Sequence, residues 1–354
     1  MHVLRWLLLV IPLFLVGCES LGYYSQAMRG HFALMRSSEP VDRLLQDPAL
    51  DPLFRQRLNT LNELRTFAES QLALPVGKNY ADVVQQDSPF VAWNVFAAPE
   101  FSMDPKQWCY PVAGCSSYRG YFSRESAMAY ADTMRRDGWD VYVGGVTAYS
   151  TLGWFNDPIL SSMLERDSWQ LASVLFHELA HQVVYVAGDT QFNESFATTV
   201  EREGLRRWMD AVGFGGPDRS AVLLSNAQDQ HRRDGFVELV QNTVADLRVL
   251  YTADSDLDTL RRAKQMRIEQ LRRDYALLKE LEWEGYAGYD SWFSQPLNNA
   301  QLLTVATYNA LVPAFQALLD LHEGDITGFY AAVADLAALD FSARRVKLES
   351  LLRL

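Results

Sequence analysis

Apolar positions recur at helical spacing along most of this chain and at strand spacing in one stretch of it. Met28, Phe32 and Met35 mark one side of a helix over Gly22–Ser38, and Pro40 ends it. Leu53, Leu58, Leu61, Leu64, Phe67 and Leu72 predict a second helix over Asp51–Leu74, stopped by Pro75-Val76-Gly77. The texture then turns aromatic and β-branched. Phe90–Phe96, Trp108–Val112 and Tyr118–Phe122 read as strands. Ser123 reads as the N-cap of a helix whose apolar side is Ala127, Tyr130, Ala131 and Met134. Trp139–Val143 alternates and predicts a strand that runs through Gly144-Gly145 into a further strand, Val146–Leu152. Beyond Pro158 the pattern is helical. It gives Trp169–Val186 with Gly188 as a stop, Glu194–Asp210, Arg219–Leu250, Leu257–Trp283, Asn299–His322 and Thr327–Leu339. The predicted fold class is α+β and predominantly α-helical. N-terminal helices (18–87) precede a small sheet with one helix (88–157) and a helical region (158–354) that packs with the sheet as one unit.

Composition narrows the partners and the address. The chain has 354 residues, 49% hydrophobic and 12% aromatic, ample for a sizeable core. A net charge of −12 argues against a nucleic-acid partner, which calls for a basic face. After residue 20 no run approaches the eighteen consecutive apolar residues of a membrane span. The first residues differ: Arg5 precedes the apolar run Trp6–Val16, too short to span and shaped like a signal peptide over residues 1–17. It closes on Leu15-Val16-Gly17-Cys18, which resembles a bacterial lipobox and implies lipidation of Cys18. Anchored that way, the protein is expected on the periplasm-facing side of a bacterial envelope membrane. Glu19 stands where inner-membrane retention uses aspartate, which favours the outer membrane. In such an oxidising space Cys109 and Cys115 are expected to form a disulfide, closing a small loop and contributing about 2 kcal/mol.

The chemistry concentrates in one place. His177-Glu178-Leu179-Ala180-His181 is an HExxH motif inside a predicted helix, and an i,i+4 pair puts both imidazoles on one face. Two such histidines suit one Zn2+, with Glu178 as general base on a metal-activated water. The long form of the motif would need glycine and histidine where Val184 and Ala187 stand, so the third ligand lies elsewhere. A turn after the first helix brings the next one back alongside. Its first turn then carries Glu194 within reach of the metal, with Glu201 farther along to orient a ligand histidine.

Asn193-Glu194-Ser195-Phe196-Ala197 is similar to the N-E-G-F-A segment of the aminopeptidase N family of gluzincins, although the interval from His181 is shorter and a G-A-M-E-N segment is missing. As a whole the chain resembles the bacterial family of predicted aminopeptidases, many of them lipoproteins. The residues that carry this likeness are Trp108-Cys109, Gly114-Cys115, Tyr118–Phe122, Tyr149–Phe155, Phe176–His181, Asn193–Thr198, Asn298-Asn299-Ala300 and Tyr308. The resemblance implies a zincin-like metallopeptidase acting on peptide substrates, expected to be an aminopeptidase. It makes Tyr308, in the family-like segment Asn298–Phe315, the candidate oxyanion donor. Tyr149, on the strand expected upstream of the active-site helix, is the candidate for substrate binding. An endopeptidase or cell-wall peptide hydrolase is the alternative within the enzyme class. Outside that class stands a non-catalytic envelope protein with a structural zinc, which would have no use for Glu178.

Overall fold

The computed structural model describes residues 22–110, 114–151, 155–211 and 217–353, with the backbone alone for 217–223. Residues 1–17, read above as a signal peptide, and Cys18 lie outside the described residues.

The first described element is helix α1 (residues 22–36). Strand β1 (Ser38–Pro40), the single-turn α2 (Val41–Leu45) and the long α3 (Pro52–Leu72) follow. Asp51 caps α3 by accepting from the Phe54 amide at 2.8 Å. Next come β2 (Asp82–Val84), β3 (Ala92–Pro99), β4 (Trp108–Tyr110), β5 (Gly114–Ser116), β6 (Arg119–Tyr121), α4 (Arg124–Arg136), β7 (Trp139–Val146) and β8 (Ile159–Leu160). The remainder is helical: α5 (Ser161–Leu164), α6 (Ser168–Ala180), α7 (Thr190–Ala211), α8 (Pro217–Leu250), α9 (Leu257–Leu281), α10 (Asp290–Phe293), α11 (Asn299–Asn309), α12 (Val312–Leu321), α13 (Ile326–Ala338) and α14 (Phe341–Leu351). The fold is α+β and predominantly helical, as the periodicity predicts.

Strand β3 is the centre of an antiparallel sheet with β6 on one side and β7 on the other. Strand side chains alternate faces. Val95, Ala97 and Val141 therefore pack against Ala127, Ala131 and Met134 of α4. Ala92, Asn94 and Phe96 of β3 and Tyr142, Gly144 and Val146 of β7 face the other way. One end of that face, with Phe96, Ala98 and Tyr142, lies under α8–α11. The rest stays open as the wall of a cleft. The N-terminal segment, expected to be helical only, also supplies β1 and β2, which join β8 in a second small sheet. In the β4–β5 hairpin Cys109 and Cys115 are cross-strand partners with their sulfurs 2.00 Å apart.

The largest core holds α6 and α7 against α3 and α12–α14. Gly204 makes the α6–α7 approach close: a Cβ there would stand 2.8 Å from a Phe176 ring carbon and 2.8 Å from Leu72. Any side chain at 204 would force Leu72 and the Phe176 ring, next to His177, to shift.

Three predicted elements differ. The helix read as Trp169–Val186 ends at Ala180, so the second histidine of the motif sits at the C-cap, not in mid-helix. Its last turn closes with short-range bonds from the Gln182 amide to Leu179 and the Val183 amide to Ala180. Asn193 then holds Val186 outside the helix, accepting from its amide and donating to its carbonyl, both at 2.8 Å. The helix read as Asn299–His322 is broken into α11 and α12. Pro313 lacks an amide, and its ring clashes with the carbonyl four residues back, so the first helix cannot continue through it. The strand expected at Val146–Leu152 stops at Val146; residues 147–151 are loop, and 152–154 lie outside the described residues.

Candidate metal and catalytic site

The close packing of α6 on α7 brings His177, His181, Glu194 and Glu201 together between the two helices. His177 presents Nε2 to Glu194 Oε2 at 3.3 Å, and His181 Nε2 lies 3.7 Å from the same oxygen. One ligand atom from each of the three residues falls within 4.8 Å of the other two. The helical i,i+4 spacing survives at the helix end, and the two rings stand edge to face at 5.0 Å. On the far side of His177, Nδ1 is 3.2 Å from Glu201 Oε2. Arg233 of α8 donates to the other Glu201 oxygen at 3.1 Å. This chain of contacts fixes the His177 ring with Nε2 facing the cluster. Glu194 begins in the first turns of α7, which starts at Thr190, earlier than the sequence suggested. Asp189 caps that helix, accepting from the Phe192 amide at 3.1 Å, and Arg344 of α14 holds its other oxygen at 3.0 Å. Asp189 is thereby committed to the scaffold and unavailable as a ligand.

Burial sets the electrostatics. Desolvation pushes the Glu178 carboxyl up to about 7, against the pull of His177 and with the help of Glu194. Glu178 has no hydrogen bond or ion pair among the described residues, so its carboxylate is free to act in the cleft it lines. Desolvation also lowers His181, to about 4, so its imidazole is neutral and able to ligate. For His177 burial acts downward too, but the hydrogen bonds and charges of Glu194 and Glu201 outweigh it and raise the ring well above its ordinary value. Burial pushes Glu194 and Glu201 up, but His181 and His177 hold Glu194, and His177 and Arg233 hold Glu201, below the usual carboxylate range.

The residues present fit a metal. Two imidazole nitrogens and a carboxylate converge, and a second carboxylate orients one of the rings. Oxygen and nitrogen donors of this kind suit Zn2+.

In front of the cluster lies a cleft of about 660 Å³. Tyr308 and Tyr149, the two candidate tyrosines, both line it. Their settings differ. Burial raises the Tyr308 hydroxyl well above 10, and the charges of Glu194 and Glu178 push further the same way, which places it in the field of the cluster. Tyr149 is pushed up to about 12 by burial and then by Asp157; its hydroxyl is 2.8 Å from His31 Nδ1 of α1, on another wall. The helix break explains the Tyr308 position. Ser195 Oγ accepts from the Leu311 amide at 3.1 Å and donates to the Tyr308 carbonyl at 3.4 Å, stitching the α11–α12 joint to α7. Sequence reasoning missed Ser195, Arg233, Tyr118 and Tyr185. Burial raises Tyr118 and Tyr185, and the charge of Glu194 raises both further. Tyr118 was visible as part of an aromatic strand and of the family-like segment Tyr118–Phe122, with no role attached, and nothing in the sequence links Arg233 to Glu201.

The sequence profile of the family described as "Putative aminopeptidase" matches residues 22–348. The chain belongs to that family. The match takes in α1, all three described sheets and most of α14, so the family extends over the cleft and the helix pair together. Among curated proteins and among solved structures, none matches the chain.

Proposed function

We propose that this member of the aminopeptidase family is a zinc-dependent peptidase. The observation that carries the reading is the convergence of His177, His181 and Glu194 beside the half-buried carboxylate of Glu178, which has no hydrogen-bond partner among the described residues. His177 Nε2, His181 Nε2 and a Glu194 oxygen would hold the ion. A zinc ion in such a setting supplies Lewis acidity, polarising a carbonyl and making water acidic enough to attack near neutral pH.

The chain's own residues do the rest. A peptide enters the cleft and its scissile carbonyl comes to the cluster end. Glu178 takes a proton from the attacking water and passes it to the leaving amine, for which a carboxyl tuned near the working pH is suited. The Tyr308 hydroxyl, kept protonated by its surroundings, donates to the oxyanion as negative charge develops. Glu201, held by Arg233, keeps the His177 ring in one tautomer and orientation. The aromatic walls displace water from around the carbonyl and strengthen these interactions.

For location, the proposal is a lipoprotein of the bacterial envelope anchored through Cys18, facing the periplasm from the outer membrane. The apolar run ending Leu15-Val16-Gly17-Cys18 supports it.

Chelation tests the reaction. Protein stripped of metal should lose cleavage of a fluorogenic peptide library, and one equivalent of Zn2+ should restore it. Full activity in the stripped protein would reject the mechanism.

A further inference from the structure

Asn is disfavoured in central strands, yet Asn94 occupies the middle of β3 with β6 and β7 on either side. Its backbone is engaged in both ladders, but its carboxamide makes no hydrogen bond to any described residue. That side chain lines the cleft. The neighbours across both ladders are glycines: Asn94 pairs with Gly120 on β6 and with Gly144 on β7. Neither glycine is in the left-handed region, so no backbone conformation demands it. What glycine supplies at both positions is space. A Cβ at 120 would stand 3.2 Å from Asn94 Oδ1, and one at 144 would stand 3.1 Å from a Tyr142 ring carbon. The sheet thus forms a bare floor from which one amide rises, carrying both a donor and an acceptor.

The charge of the surroundings sharpens this. Among the described residues lining the cleft there are two carboxylates, Glu178 and Glu194, and no lysine or arginine. Glu194 is taken up by the two histidines, and Glu178 is the proposed base. A free α-amine needs a carboxylate to offset its desolvation, and a free α-carboxylate needs a cation. A neutral peptide group needs one donor and one acceptor, which a carboxamide provides.

We propose that Asn94 binds the backbone amide of an extended substrate lying over the Gly120–Gly144 floor, so that the cleft takes the uncharged interior of a peptide and needs no free amino terminus. This inference rests on the peptidase reading above, and it concerns which stretch of substrate is held. Asn94 is a binding residue, remote in sequence from the metal cluster, and its loss should appear in KM with kcat little altered.

The test uses the zinc-loaded protein and two peptides of one sequence, one N-acetylated and one with a free amine, both C-amidated. The wild type should cleave the acetylated peptide at least as well as the free one. Asn94→Ala should raise KM for the acetylated peptide about 2- to 10-fold, the worth of one neutral hydrogen bond. Asn94→Asp should shift preference toward the free amine, because a carboxylate now meets the ammonium. Gly144→Ala, which narrows the floor without touching Asn94, should raise KM as well. A wild type that demands a free amine, or an unchanged KM in Asn94→Ala, overturns the proposal. Should no peptide be cleaved, the peptidase reading fails, and binding still decides the role of Asn94. Fluorescence anisotropy of the labelled acetylated peptide should then show weaker binding to Asn94→Ala than to wild type, and equal binding would dismiss the proposal.

Discussion

The two sides of the cleft are built on opposite principles. On the α6–α7 side the charged and imidazole groups other than Glu178 form one chain: Arg233 meets Glu201, Glu201 meets His177, and both histidines meet Glu194 through Nε2. Asp189 and Arg344 lock the turn that brings these helices together. On the sheet side the lining includes aromatic rings, three glycines and an amide with no partner among the described residues. A tied, buried, charged constellation suits chemistry, because its groups need no reorganisation when charge develops. An uncharged wall with unsatisfied hydrogen-bonding capacity suits recognition, because a ligand supplies what is missing. Substitutions on the first side should therefore act on kcat, metal content or folding, and those on the second on KM.

Four substitutions probe that division. Arg344→Ala should have the largest effect, on folding alone: it leaves Asp189 buried at the head of α7 and should cost about 3–5 kcal/mol in urea unfolding, moderated by Arg345 at 3.5 Å. Tyr308→Phe comes next. It should lower kcat about 100- to 1000-fold and leave metal content unchanged, as expected of a lost oxyanion donor; a change confined to KM would move Tyr308 to the recognition side. Glu201→Ala should weaken metal affinity about 10- to 100-fold by freeing the His177 ring, read by competition with a chromophoric chelator. Ser195→Ala should be mildest, about 1 kcal/mol of stability from the lost bond to the Leu311 amide, with some fall in kcat as the Tyr308 backbone loosens. An unaltered kcat would show that Pro313 and packing alone set the position of Tyr308.

The helix-pair side was largely legible from residues, because its parts are close in the chain. His177, Glu178, His181, Glu194 and Glu201 fall within one helix–turn–helix, where i,i+4 spacing and rise per residue set distances before any tertiary contact is known. The stop of α6 at Ala180 was not legible, since Asn193, seven residues beyond Val186, competes for the backbone. Pro313 signalled the break in Asn299–His322 and the apolar pattern on either side masked it. The sheet side was hardly legible at all. Asn94, Gly120 and Gly144 are brought together by strand register, and their local sequence distinguishes none of them from ordinary strand or loop residues. The same holds for Arg233 on α8, whose meaning comes only from the carboxylate it meets.

One paired measurement tests the central claim most directly: zinc stoichiometry and peptide cleavage in wild type and Glu178→Gln. The glutamine has the same shape and Glu178 is no ligand, so both proteins should hold about one zinc per chain. Cleavage by the variant should fall about 100- to 10,000-fold, the usual contribution of a general base. A wild type that binds no zinc, or a variant that cleaves as fast as wild type, would contradict the account.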